Sequence, residues 1–195
     1  MTSGTGAKLT IQVHQEDRLS VKFHLTDPQA IQNLLSHLQP TKLFSQHHLA
    51  LGGAHSLTVF PCARVVQVDF FGDNLPEFPH YRGVHTIKEI TQAQMQERFK
   101  PENYAHVVPG ETVTVYTEIE LMDGKRHILE VNMEAPMRQP QEQNVLLQQI
   151  LSGGGLHITR SDGGLTVLNP VQIVCITFYP GTGIMPPNAW IAEKA

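Results

Sequence analysis

Along YTEIELMDGKRHILEVNM (Tyr116–Met133) apolar and polar residues alternate with a period of two, interrupted at Asp123-Gly124. That pattern predicts a hairpin with one apolar face, because Asp-Gly accepts the positive φ of a tight turn. LTIQVHQEDRLSVKFHL (Leu9–Leu25) carries the same alternation around Glu16-Asp17. The period then becomes helical. Asp27 is placed to cap, Pro28 suits the first turn, and Ile31, Leu34, Leu35 and Leu38 form a stripe that Pro40 ends. After a second hairpin, VVQVDFF (Val65–Phe71) reads as a closing strand with Val66, Val68 and Phe70 on one face. Val65, Gln67, Asp69 and Phe71 share the other, which is too apolar for a solvated face and calls for a cover.

Much of this pattern recurs. HSLTVFPCARVVQVDFFG (His55–Gly72) and GGLTVLNPVQIVCITFYP (Gly163–Pro180) align without a gap 108 positions apart (163 − 55). Upstream, Ile11, Val13, Val21, Phe23, Leu25 and Pro28 fall opposite Ile119, Leu121, Leu129, Val131, Met133 and Pro136 at the same spacing. It slips to 107 where LFSQHHLAL (Leu43–Leu51) faces ILSGGGLHI (Ile150–Ile158). A second helix is expected over Pro140–Leu151, with Leu146, Leu147 and Ile150 inward and Gly153 as its cap. In the second closing strand Val174, Ile176 and Phe178 match Val66, Val68 and Phe70. The recurrence predicts an α+β chain of two tandem β-rich units, each about ββαβββ, packed as one pseudo-two-fold body. The sister unit would then cover the outer strand face, with a homodimer contact as the rival cover. The segment LTVLNPVQIVCITF resembles the closing part of a small Sm-like or SH3-like barrel, over about fifteen residues of each unit, and carries no functional motif.

Between the units, Thr86 and Glu89 form a capping-box pattern, and Ile87, Ile90, Met95 and Phe99 a helical stripe ended by Pro101 and Pro109-Gly110. The organisation expected is therefore a flexible start (1–8), a first unit (9–82), a helical connector (83–110) and a second unit (111–195).

Composition narrows the function classes. The 195 residues are 41% hydrophobic and 16% charged, with net charge −4, which argues against nucleic acid and anionic membranes as partners. The start MTSGTGAKLT lacks the regions of a secretory signal, the apolar runs are too short to span a bilayer, and two cysteines make no disulfide framework, so a cytoplasmic protein is expected.

Histidines crowd the first unit, where His47, His48, His55 and His80 are candidate metal ligands around one hairpin, although no ligand-spaced motif such as HExxH accompanies them. Cys62, at the turn before the closing strand, is placed for exposure; Cys175 sits mid-strand as a small apolar side chain. The glycine-rich stretches follow a helix or join strands, so they are caps and turns rather than phosphate loops. Glu118, Glu120 and Glu130 line a solvated hairpin face. Aromatics set among prolines follow both closing strands: Phe78 and Tyr81 in the first unit, Pro186, Pro187 and Trp190 in the second. Rigid prolines beside aromatics suit a docking patch for a protein partner. With no catalytic motif and no cofactor signature, the leading expectation is a non-enzymatic interaction or assembly module that binds protein partners. The first alternative is a metal-binding protein or enzyme using the histidines; the second is nucleic-acid or nucleotide binding on the small-barrel surface.

Overall fold

A computed structural model describes residues 8–52, 55–73, 75–135 and 148–180. Local signals set the first elements. β1 (Leu9–Gln15) and β2 (Ser20–Leu25) form the expected hairpin, turning through Arg18 at positive φ. Asp27 accepts the backbone N–H of Gln29 and starts α1 (Pro28–His37), whose Ile31 is buried. A 3-10 turn at Pro40–Lys42 leads into the hairpin β3 (His48–Gly52) and β4 (Leu57–Pro61). The 3-10 turn Cys62–Arg64 then feeds β5 (Val65–Gly72).

Residues 84–90 depart from the helical expectation: they form a strand, β6 (Val84–Ile90). Val84, Thr86, Ile87 and Ile90 are β-branched, and pairing with a later strand outweighs the i, i+3 spacing of Ile87 and Ile90. Helix α2 (Gln92–Arg98) starts only afterwards, and its capping box is Thr91 with Gln94 rather than Thr86 with Glu89. The second half continues with β7 (Thr112–Leu121) and β8 (Arg126–Glu134), turning at Asp123-Gly124 where Gly124 has φ +84°. A helical segment at 148–152 precedes β9 (Leu156–Thr159) and β10 (Leu165–Leu168), and a 3-10 turn at Pro170–Gln172 precedes β11 (Ile173–Tyr179). Of the expected helix at Pro140–Leu151, the part up to residue 147 lies outside the described residues.

Nine strands form one mixed sheet in the order β11-β7-β8-β6-β9-β10-β5-β1-β2, while β3 and β4 make a separate two-stranded sheet. The trio β5-β1-β2 recurs as β11-β7-β8, antiparallel throughout. Register recurs as well. Phe60 opposes Leu49 and Thr58 opposes Leu51 in one hairpin, as Leu168 opposes Leu156 and Thr166 opposes Ile158 in the other. The ladder of β1 with β5 skips Val66, and the ladder of β7 with β11 skips Val174. Glu16 N–H bonds to the Arg64 carbonyl as Met122 N–H bonds to that of Gln172. These pairings match the first hairpins at a spacing of 106 (122 − 16), two short of the 108 expected from sequence. A shift of two preserves which face each side chain takes, so the apolar pattern alone cannot register it.

Two cores flank the seam between β5 and β10. One gathers Leu9, Ile11, Val13, Val65, Val68, Phe70, Leu165 and Val167 beneath Ile31 of α1 and Phe60 of β4. The other joins Val66 to Ile87, Ile119, Leu121, Leu129, Leu156, Ile158 and Leu168. Val66 thus leaves the face expected for it, because the bulge turns it away from Val68 and Phe70 and across into the second core. Fully burying such a side chain is worth about 1.5–3 kcal/mol. The halves also meet at Gly155, where an added Cβ would lie 2.1 Å from the Pro40 carbonyl oxygen. This glycine serves close backbone approach, not only a helix cap.

Candidate functional site

Of the strand face expected to need a cover, Val65 packs in the first core, while Gln67 and Asp69 are buried in a polar network. Asp69 is the hub. Its Oδ1 accepts Thr166 Oγ1–H at 2.6 Å and Gln67 Nε2–H at 3.0 Å, and its Oδ2 lies 2.8 Å from His14 Nε2 and 3.6 Å from Arg160 Nη1. Burial alone would raise the Asp69 carboxyl, but the bonds from His14 and Thr166 and the charge of Arg160 outweigh it and hold the group below its ordinary value.

From this hub the chain of bonds runs both ways. His14 Nδ1 lies 2.8 Å from Lys125 Nζ, which can only donate, so the imidazole hydrogen sits on Nε2 and is given to Asp69. Lys125 in turn stands 3.6 Å from Asp123. On the other side Gln67 Oε1 accepts from His127 Nε2 at 3.0 Å, and His127 Nδ1 meets Glu89 Oε1 at 2.8 Å. With Gln67 turned so that its amide nitrogen serves Asp69, both His127 nitrogens donate. The bond from His127 is the main reason the Glu89 carboxyl is depressed, burial opposing it. Each charge in the series therefore meets an opposite charge or a committed donor, across β1, β5, β6, β8 and β10.

At one end the relay opens into a cleft of about 490 Å³ between the two first hairpins, lined by His14, Arg18, Ser20, Asp123, Gly124 and Lys125. Arg18 Nε–H donates to the Asp123 carbonyl at 3.1 Å and ties the turns together. Ser20 stands opposite His14 in the ladder, but its hydroxyl accepts from Gln12 Nε2 and His14 has no nitrogen to spare. The arrangement pairs the buried charges with one another.

The sequence candidates scatter. His47, His48 and His55 are exposed; His48 pairs with Pro61 at one end of the β3–β4 hairpin and His55 lies in the turn at the other. His80 instead stacks on His157, rings 4.3 Å apart and 6° from parallel, with Phe78 edge-on to His157. The four proposed ligands do not converge, and among the described residues no three His, Cys, Asp or Glu side chains gather as metal ligands. Phe78 packs on the first core, while Tyr81 packs on the second and donates its hydroxyl to the Gly155 carbonyl at 3.2 Å. Pro186, Pro187 and Trp190 lie outside the described residues. The cysteines exchange roles. Cys62 is buried, where its backbone N–H bonds to His47 and burial raises its thiol, whereas Cys175 is exposed at the sheet edge. Arg126 pairs with Glu118 and Glu120, and Arg98 with Glu130, so these carboxylates form an ion-paired surface. Sequence reading passed over the hub itself. Its one signal was a Gln and an Asp on the same side of an apolar strand, a place where charge survives only when paired.

Removing Asp69 leaves the His14, Thr166 and Gln67 donors without an acceptor, while Arg160 keeps Asp162, so Asp69→Ala should lose about 3–5 kcal/mol of stability. Thr166→Val, which deletes one bond to the carboxylate, should lose about 1.5–3 kcal/mol. Urea denaturation with an unchanged slope measures both.

Burial, then repulsion from His157, depresses His80 to about 4, and burial depresses His157 too. Both rings are neutral when folded and take up protons on unfolding below about pH 6.5, so stability falls as pH drops from there towards 4. The depressed Asp69 and Glu89 contribute stability above their unfolded values, near 4, that is lost as pH falls through their lower folded values. In a series of thermal melts, His80→Phe should flatten the decline between pH 6.5 and 4.5 and leave the decline below pH 4 in place.

The chain matches no family model, no curated protein and no solved structure.

Proposed function

We propose that the chain is a non-enzymatic assembly module, built by tandem duplication of a ββαβββ unit and working through the edges of its sheets. The observation that carries this reading is where large apolar side chains remain exposed. Of these, Leu57 and Val59 lie on β4, Val174 on the edge strand β11 and Val171 in the 3-10 turn before it, while Leu19, Val21, Val108, Met122 and Leu151 are exposed elsewhere. Apolar side chains beside unpaired backbone edges are the ordinary template for strand addition by another protein. The repeated trios, the bulges at Val66 and Val174 and the matched hairpin registers support the duplication, with a pseudo-two-fold relation between the units. The buried polar series supports a non-catalytic role, since its charges are spent on one another. Phe78 and Tyr81 are half-buried against the two cores and Pro186, Pro187 and Trp190 lie outside the described residues, so this reading is argued from the strand edges. We place its work in the cytosol with protein partners. Among the described residues no helix is long and apolar enough to cross a membrane.

Photo-crosslinking tests the reading. Benzoylphenylalanine placed at Val174 or Leu57 in the cells that make the protein should trap a protein adduct, and the same group at the exposed Glu102 should trap less. Equal, background-level trapping at all three sites would count against an edge-docking module.

A further inference from the structure

We propose that the protein associates head to tail with further copies of itself, β4 of one copy pairing antiparallel with β11 of the next. This rests on the assembly-module reading and names its partner. The template lies inside the molecule. β10 pairs with β5 in a defined register, Leu165 with Phe70, Thr166 with Asp69, Val167 with Val68 and Leu168 with Gln67. The segment 108 positions before β10 is β4, and the segment 108 positions after β5 is β11. Among the described residues these two strands have no partner on their outer edges.

Burial separates the two sets as the proposal requires. In the internal seam Leu165 is 6% exposed and Val167 0%; their counterparts Leu57 and Val59 are 69% and 51% exposed. Val66, the bulged residue that crosses into the second core, is 0% exposed, and Val174, bulged at the matching place, is 55% exposed. Leu156, Ile158 and Leu168 receive Val66. Their counterparts Leu49, Leu51 and Phe60 sit at the first core, which would receive Val174 of a neighbouring copy. The implied register sets Leu57 opposite Phe178, Thr58 opposite Thr177, Val59 opposite Ile176 and Phe60 opposite Cys175 of the neighbour. β2 is also an edge, but no internal pairing serves as its template.

One difference sets the strength. Across the internal seam Asn169 donates its backbone N–H to Val66 and its amide to the Cys62 and Val65 carbonyls. Its counterpart is Pro61, which has neither donor. The contact between copies is therefore weaker than the seam within one, and association depends on concentration. A heterologous contact of this kind closes into a ring or continues as a filament, according to the rotation per copy.

Thr166 and Asp69 touch across the internal seam, so cysteines at Thr58 and Thr177 should touch across the proposed one. In full-length Cys175→Ser protein at high concentration, mild oxidation of the double variant Thr58→Cys/Thr177→Cys should give a ladder of dimers, trimers and longer products on a non-reducing gel. Either single variant should stop at dimer. Adding Val174→Asp, at a position exposed in the isolated chain, should abolish the ladder while the circular dichroism spectrum and melting temperature stay near those of the parent. A double variant that remains monomeric, runs as an internally bridged monomer, or merely matches the single variants overturns the proposal. If the ladder is absent and Val174 photo-crosslinks to a different protein, self-association fails while the assembly-module reading stands. Absence of both results removes both.

Discussion

A negative charge in the middle of a buried strand is the constraint from which the rest of this structure follows. Asp69 cannot be buried alone, because desolvating an unpaired carboxylate costs several kcal/mol, at least. Its partners come from both halves: His14 from β1 on one side, Thr166 from β10 on the other, with Arg160 beyond. Meeting them fixes β10 against β5, and that seam fixes everything beside it. Leu165 and Val167 are delivered to one core and Leu168 to the other, while the bulge at Val66 sends a side chain across the boundary. The two cores are therefore stitched through one short ladder. Gly155 against Pro40 and Asn169 against the Cys62–Arg64 turn close it on either side.

How much of this the sequence disclosed depended on how local each determinant was. Asp123-Gly124 announced its hairpin, and Asp27-Pro28 announced α1, because turn and cap chemistry act within a few residues. Alternation identified the closing strands and the correct need for a cover. It failed at Val66, since a bulge reverses the phase of a strand without any mark in the hydrophobic pattern. β6 was misread as helix for a related reason: Ile87 and Ile90 fit a helical stripe, and the partner strand β8 that decides the matter lies about forty residues on.

The candidate site was less legible. Histidine number drew attention to His47, His48 and His55, yet these are exposed, whereas the half-buried His14 and the buried His127 and His157 are held by partners distant in sequence. The turn position of Cys62 and the mid-strand position of Cys175 were misleading local cues: Cys62 is buried where its turn meets the second half, and β11 is a sheet edge. That same asymmetry links structure to function. LTVL is buried throughout in β10, whereas in LTVF of β4 Phe60 is buried but Leu57 and Val59 are exposed, and the proposed docking edge rests on that contrast. The polar series links groups from both halves, His14 and Asp69 with Thr166, and Gln67 with His127.

If the Asp69-centred seam makes one body of the two halves, they must unfold together. Native-state hydrogen exchange as a function of denaturant measures this directly, through amides of β1 and β5 in the first half and of β7 and β8 in the second. The account predicts that the slowest amides of both sets converge on one opening free energy with one denaturant dependence. Two separate isotherms, with β7 and β8 protected after β1 and β5 have opened, would contradict it.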